Sequence, residues 1–205
     1  MSMRQHWEGV YNSKQLSEVS WYQPIPSVSL AFLEELAIEK DAAIIDVGGG
    51  DSLLADHLLE KGYSDITVLD ISSTAIVRAQ KRLGVKAGRV NWIVSDITGF
   101  VPGRQYVCWH DRAAFHFLTT KEQVAGYFSV AQKAIPPGGK IVIGTFSETG
   151  PSVCSGLPVK QYSESSLTGL VKKWFKKIKC LETDHITPFN TLQRYLFCSF
   201  KRINA

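Results

Sequence analysis

A glycine-rich turn and three acids carry the chemistry that can be read from this chain. The apolar run Ile44-Ile45-Asp46-Val47 breaks into Gly48-Gly49-Gly50-Asp51-Ser52, and the helical pattern Leu53-Leu54-Ala55-Asp56-His57-Leu58-Leu59 follows. Strand, tight turn and helix in that order let a backbone approach a ligand where side chains would block it. A second apolar run, Ile66-Thr67-Val68-Leu69, stops at Asp70, from which a carboxylate can accept hydrogen bonds from both hydroxyls of a ribose. A third, Val90-Asn91-Trp92-Ile93-Val94, stops at Ser95-Asp96-Ile97. Acids therefore stand at or near the carboxyl ends of three successive strands, the edge on which open α/β sheets bind ligands.

A dinucleotide fingerprint requires Gly-x-Gly-x-x-Gly, and Leu53 occupies the place of its third glycine. That gap and the additional acid at Asp96 tilt the reading from a nicotinamide cofactor to S-adenosyl-L-methionine. From about Asp41 through Phe146 the order and spacing resemble the class I S-adenosylmethionine-dependent methyltransferases. The resemblance implies that Gly48 and Gly50 pack beside the methionine part of the cofactor. It further implies that Asp70, with Ile71 beside it, holds the ribose and that Asp96 with Ile97 reads the adenine edge. Asp46 would orient the glycine turn and reach the cofactor's amino group. Taken singly, each acid reads as a helix N-cap or a loop residue; the ensemble supports a cofactor site.

The segment Cys108-Trp109-His110-Asp111-Arg112-Ala113-Ala114-Phe115-His116-Phe117-Leu118 follows a fourth strand whose end lies on the same edge. Asp-Arg followed by small and aromatic residues resembles the thiopurine and tellurite-resistance branch of that family. It departs from the Asn-Pro-Pro-Tyr motif of enzymes that methylate amino groups of bases and glutamine. Methyl transfer from a sulfonium is an in-line displacement, so the protein has mainly to align and desolvate the nucleophile. Where the acceptor is an amine or hydroxyl, a proton must also leave. Asp111 is the first candidate base or orienting group, and His116 the second, against the plainer reading of a histidine packed by Phe115 and Phe117. Arg112 reads as a clamp on an acidic substrate group or as an ordinary ion pair. In the turn-rich segment 150–159, Cys154 and Ser155 are candidate pocket residues, and His185 at a later hairpin turn is a weaker one. Trp7, Tyr11, Trp21 and Tyr22 are many aromatics for an exposed tail. They can cover a sulfonium by cation–π contact, Trp21 being counted with the cofactor site, or staple the amino terminus to the core.

The elements that must position these groups alternate regularly. Strands 44–47, 66–69, 90–94, 105–109 and 140–146 are interleaved with helices 52–61, 73–83 and 120–135, preceded by a helix over 28–38 with Ser27 as N-cap. After residue 147 a helix over 164–178 and two strands, 180–187 and 192–202, are expected. The fold class is α/β: a Rossmann-like, mostly parallel seven-stranded sheet with an antiparallel C-terminal hairpin and helices on both faces. Residues 1–205 read as one domain, with 1–28 as an amino-terminal lid.

Composition bounds the partners. A hydrophobic content of 44% and 20% charged residues suit a globular chain, and 23 basic against 19 acidic side chains are too balanced to require nucleic acid or a membrane. Lys172, Lys173, Lys176, Lys177 and Lys179 read as the solvent side of an amphipathic helix whose apolar side is Leu167, Leu170, Val171, Trp174, Phe175 and Ile178. An RNA-binding patch is the less favoured alternative. The four cysteines form no metal-type cluster, and Cys108 and Cys198 are expected as buried free thiols in a reduced, cytoplasmic protein. No signal-peptide pattern opens the sequence. Together these features point to a monomeric or weakly dimeric methyltransferase acting on a small molecule. A protein-lysine methyltransferase and an inactive cofactor-binding interaction module remain the alternatives.

Overall fold

Alternating apolar side chains cover both faces of one sheet. The structure is a computed structural model and describes residues 2–204. Strands β1 (Ile44–Val47), β2 (Ile66–Asp70), β3 (Val90–Val94), β4 (Cys108–Arg112) and β5 (Lys140–Phe146) run parallel in the order β3-β2-β1-β4-β5. A ribbon of β6 (Val153–Cys154) and β7 (Leu157–Pro158) lies outside this sheet. The long strands β8 (Phe175–Ile186) and β9 (Leu192–Arg202) complete it, β9 pairing antiparallel with β5 and β8 antiparallel with β9. The helices are α1 (Met3–Ser13), α2 (Ser27–Glu35), α3 (Leu54–Glu60), α4 (Ser73–Leu83), α5 (Lys121–Ala134) and α6 (Glu164–Val171). No helix among the described residues is long and apolar enough to cross a membrane.

Period-two alternation assigns the core. Ile45, Val47, Trp109, Ile141 and Ile143 face α5 and α6, whereas Ile44, Cys108 and Val142 face α2 and α3. Each βα unit begins with local hydrogen-bond chemistry. Ser72 caps α4 through the Ala75 amide, and reciprocal Thr120–Gln123 and Ser163–Ser166 bonds open α5 and α6. Strand order reverses between β1 and β4, so the chain leaves a crevice at their carboxyl ends, where doubly wound sheets bind ligands.

Four expectations are corrected here. The fourth strand is shifted towards the carboxyl end: the amides of Val107 and Cys108 both donate to the Ala43 carbonyl, and the ladder beside β1 starts at Cys108. Asp111 and Arg112 thereby belong to the strand and not to the loop after it. The helix over 164–178 stops at Val171, a turn carries Trp174 against Phe128, and Phe175 already pairs with Arg202. Lys176, Lys177 and Lys179 stand on the edge strand β8, where charge discourages pairing with another chain. Ser27 lies inside α2, whose cap position falls to Pro26. Finally, Cys180 and Cys198 face each other in the β8–β9 register and are joined by a disulfide, so Cys198 is not a free thiol. Cys108 is free and buried, and burial pushes its thiol up to about 12.

Gly144 of β5 lies close under a ring of β9. A Cβ there would lie 2.5 and 2.7 Å from two ring atoms of Phe197, itself buried. Gly144→Ala should lower unfolding stability by about 1–3 kcal/mol through overpacking, read as a reduced denaturant midpoint at constant slope. An unchanged midpoint would show that the β5–β9 contact is looser than this.

Candidate active site

A cleft of about 930 Å³, open mouth included, lies over the carboxyl ends of β1 to β4. The glycine turn after β1 forms part of its wall. Gly48 has φ +67° and Gly50 φ +46°, conformations that side chains disfavour. Space is equally restrictive. A Cβ on Gly48 would come 2.4 Å from Ala114 Cβ, one on Gly49 2.5 Å from Asp46 Oδ2, and one on Gly50 2.8 Å from the Tyr11 hydroxyl.

Two of the acids face the cleft with one oxygen already committed. Asp70 ends β2, and its Oδ1 accepts the Ser72 amide at 2.8 Å. Its Oδ2 points at the glycine turn, 2.9 Å from where a Gly50 Cβ would sit. Burial pushes the Asp70 carboxyl up to about 7, against the pull of the Ser72 amide and with help from the charges of Asp51, Asp46 and Glu8. Asp96 caps a short 3-10 turn, its Oδ1 accepting the Thr98 amide and hydroxyl at 2.8 and 2.7 Å. Ile71 and Ile97 line the cleft beside them. A glycine turn that admits backbone approach, a strand-end carboxylate with a free oxygen, and an acid flanked by isoleucine match turn, ribose and adenine contacts of S-adenosyl-L-methionine. The residues present therefore fit that cofactor.

Asp46 stands apart from these two. It lies one residue before the end of β1, and its Oδ1 is 2.7 Å from His110 Nδ1, whose Nε2 is 2.9 Å from Ser29 Oγ. These three line a second cleft, which shares Tyr11, Trp21, Gly48 and Arg112 with the first. Neither His110 nor Ser29 stood out in the sequence, because their contact depends on the lateral register of β1, β4 and α2.

The amino-terminal segment closes the cleft. Trp7, Tyr11 and Trp21 line it and pack edge-on or tilted at 5.7–6.3 Å between ring centres, with Phe117 5.0 Å from Trp7. These contacts staple the amino-terminal segment to the wall of the cleft. A latch absent from the sequence reading is Glu8. Burial opposes its charge, yet hydrogen bonds from Thr74 and Ser73 at the start of α4 hold its carboxyl down at about 2. From the same helix, Arg78 Nη1 donates to the carbonyls of Tyr11 and Lys14.

The candidates after β4 separate. Asp111 is fully buried and turned away from the cleft. Its Oδ1 accepts the amides of Ala114 and Phe115 at 3.1 and 3.0 Å, and its Oδ2 accepts the Tyr127 hydroxyl at 2.9 Å. Burial raises it to about 6, but its oxygens are occupied in fixing the turn that holds Ala113 at φ +66°. The expectation that Asp111 stands beside the transferred methyl is therefore corrected. His116 is also sealed: it stacks on Phe146 at 4.4 Å, and burial with the Arg112 charge lowers it to about 3. A base that stays neutral so far below pH 7 and has no exposed surface is poorly placed to take a proton from a substrate. His185 lies in neither cleft. Its Nε2 meets the Ser20 carbonyl at 2.7 Å, bracing the amino-terminal segment. Arg112 and Cys154 do line the main cleft.

Two measurements test this geometry. Because Asp70 is neutral below about pH 7 in the ligand-free protein, affinity for S-adenosylhomocysteine should weaken as pH falls from 8 to 6, by at most about tenfold per unit for one proton. Asp70→Asn should flatten that profile in calorimetry; a profile that keeps its slope assigns the dependence to another group. Asp111→Ala should leave the buried Phe115 amide, the part-buried Ala114 amide and the Tyr127 hydroxyl proton without their acceptor, at about 1–3 kcal/mol for each fully buried group. Thermal unfolding should report the large loss, while affinity for S-adenosylhomocysteine per folded molecule stays within a few fold.

Comparison with known proteins agrees with the site. Residues 44–139 match a family described as a methyltransferase domain. A malonyl-[acyl-carrier protein] O-methyltransferase of Ilyobacter polytropus is 30% identical over 149 residues, covering 69% of this chain and 56% of that protein. A second such enzyme of the same organism is 25% identical, and the chain spans 62% of its length. Among solved structures, one described under conversion of a disulfide bond into a thioacetal group during echinomycin biosynthesis superposes with a TM-score of 0.79 at 20% identity, covering 98% of this chain and 93% of the other. The N-methyltransferase NodS of Bradyrhizobium japonicum, bound to S-adenosylhomocysteine, gives 0.72 at 14% identity, covering 99% and 100%. The sheet is thus the Rossmann-like methyltransferase fold, and within it residues 44–139 match a methyltransferase domain.

Proposed function

We propose that this protein transfers the methyl group of S-adenosyl-L-methionine to a small acceptor bearing a carboxylate, and that Arg112 holds the acid. One observation carries this reading. Arg112 Nη1 donates to the Trp21 carbonyl at 3.0 Å, but Nε and Nη2 are buried without a protein partner. The Nε–Nη2 edge of a guanidinium is a two-donor fork matched to a carboxylate. Leaving it buried and unpaired is costly, so an acid from outside the chain completes it. The guanidinium leans over the Tyr195 ring of β9 at 5.1 Å; we assign the acid to the acceptor, and the test below separates it from the cofactor's own carboxylate.

The cofactor supplies a methyl group on a sulfonium, already activated towards nucleophiles. Asp70 and Ile71 position the ribose, Asp96 and Ile97 the adenine, and Gly48 and Gly50 admit the methionine part. Residues 2–28 act as a lid, Trp7, Tyr11 and Trp21 excluding water around the transferred group. A carboxylate oxygen needs no deprotonation before it attacks, which suits a site whose two candidate bases, Asp111 and His116, are sealed off. The similarity to enzymes named for O-methylation of a malonyl group supports the same acceptor class. The Asp111-Arg112 pair that suggests the thiopurine and tellurite-resistance branch splits: Asp111 serves the fold and Arg112 the cleft.

Formation of S-adenosylhomocysteine should be followed with malonyl thioesters, small dicarboxylic acids, thiols, amines, tellurite and a lysine-containing peptide. Turnover should be confined to the acids. Arg112→Gln should raise KM for the acid about 30-fold or more, corresponding to roughly 2 kcal/mol for a broken buried charge pair, with the affinity for S-adenosylhomocysteine nearly unchanged. Turnover of tellurite, thiols or the peptide in preference to acids would overturn the proposal. So would an Arg112→Gln protein that loses the cofactor product instead of the acceptor, since Arg112 would then bind the cofactor's own carboxylate.

A further inference from the structure

The buried chain Asp46–His110–Ser29 has no part in the reading above, and its location gives it one. Its three side chains are 1–3% exposed and come from β1, β4 and α2. Asp46 and His110 are lateral neighbours in the β1–β4 register. An ionised carboxylate only accepts hydrogen bonds, so His110 Nδ1 donates to Asp46 Oδ1 over 2.7 Å. In the neutral ring Nε2 is then the acceptor and takes the Ser29 hydroxyl over 2.9 Å. The order carboxylate, imidazole, hydroxyl fixes the tautomer and orientation of the ring and, through the ring, one oxygen of Asp46.

The other oxygen sits under the glycine turn, 2.5 Å from the place of a Gly49 Cβ. Rotation of the Asp46 carboxylate would therefore disturb either the turn or its bond to His110. The cleft that these residues line contains Asp46, His110, Arg112 and the glycine turn, but none of Asp70, Asp96 and Ile97. It thus extends from the shared turn away from the adenosine contacts, towards the part of the cofactor that bears an ammonium group. Asp46 is the carboxylate in this cleft.

We propose that His110 and Ser29 are positioning residues for the amino-acid end of the cofactor: by holding Asp46 Oδ1, they aim its second oxygen and its charge at the cofactor's ammonium group. Neither touches the reacting atoms. The helix α2 is thereby linked to cofactor selection, although it contributes no side chain to the main cleft.

The test compares two uncharged-sulfur ligands by calorimetry: S-adenosylhomocysteine, which has the amino-acid end, and 5′-methylthioadenosine, which lacks it. His110→Phe keeps a planar ring but removes the donor to Asp46. It should weaken S-adenosylhomocysteine at least tenfold and leave 5′-methylthioadenosine within twofold. His110→Asn, which can still donate to Asp46, should recover most of the loss. Ser29→Ala removes only the outer link and should cost about two- to fivefold, again for S-adenosylhomocysteine alone. Equal losses for both ligands would assign the chain to general support of the turn and overturn the proposal, as would no loss for either. If His110→Phe fails to fold, Ser29→Ala decides: an unchanged ratio of the two affinities refutes the positioning role.

Discussion

The walls of the site are held together at the Gly48–Gly50 backbone, which its neighbours approach more closely than any side chain there would allow. Gly48 leaves room for Ala114 after β4, Gly49 for the Asp46 carboxylate, and Gly50 for Tyr11 of the lid together with Asp70 of β2. Four neighbours, from β1, β2, the segment after β4 and the lid, converge on a turn that has no side chains with which to keep them apart. A methyl group at any of these positions would collide with backbone-anchored or buried neighbours, and two of the three also need positive φ. The turn does not merely admit a ligand. It sets the spacing between the acid that ends β2, the acid within β1 and the aromatic lid.

Proximity of acids has an electrostatic consequence. Asp70, Asp51 and Asp46 are buried near one another with the part-exposed Glu8 beside them, and the structure disposes of their charges in different ways. Glu8 is ionised because the start of α4 supplies hydrogen bonds; Asp51 is paired with Arg78 at 2.9 Å, although burial still raises it. Asp70 receives one amide and is pushed up to about 7. The charges of Glu8 and Asp51 are thus offset by hydrogen bonds or a guanidinium, whereas Asp70 has a single amide to set against its burial and its acidic neighbours.

The region 44–146 was largely legible because each strand there is short, buried and followed by turn chemistry: Gly48–Gly50, Asp70 before the Ser72 cap, Asp96, and Pro136-Pro137-Gly138-Gly139. Its main error came from strand phase. An expected strand over 105–109 leaves Asp111 and Arg112 in a loop, free to face the ligand together. With β4 at Cys108–Arg112, successive side chains alternate, so Asp111 turns to Tyr127 of α5 and Arg112 to the opposite face. A displacement of three residues changes which of two adjacent charged groups meets a substrate. Beyond residue 147 the sequence was ambiguous for a different reason. Leu167, Leu170, Val171, Trp174 and Phe175 all pack inward, but through a helix, a turn and a strand, and a single helical stripe fits the same spacing. The Cys180–Cys198 pairing depends on the β8–β9 register, which no local pattern reveals.

The carboxyl-terminal hairpin then has a role that its distance in sequence conceals. His185 on β8 holds the Ser20 carbonyl, and Tyr195 on β9 underlies Arg112, whose Nη1 holds the Trp21 carbonyl. Two successive carbonyls of the lid are therefore held, one by β8 and one by Arg112 of β4, which leans on β9, while Glu8 and Arg78 tie the preceding helix to α4. The lid spans the crevice between β1 and β4 and is fastened on both banks. Arg112 belongs to both fastening and cleft: Nη1 holds the lid at the Trp21 carbonyl, and the side chain lines both clefts. On the proposed reading, an acid that pairs with this guanidinium also restrains the group that grips Trp21, so acceptor binding and the position of the lid are coupled through a single side chain.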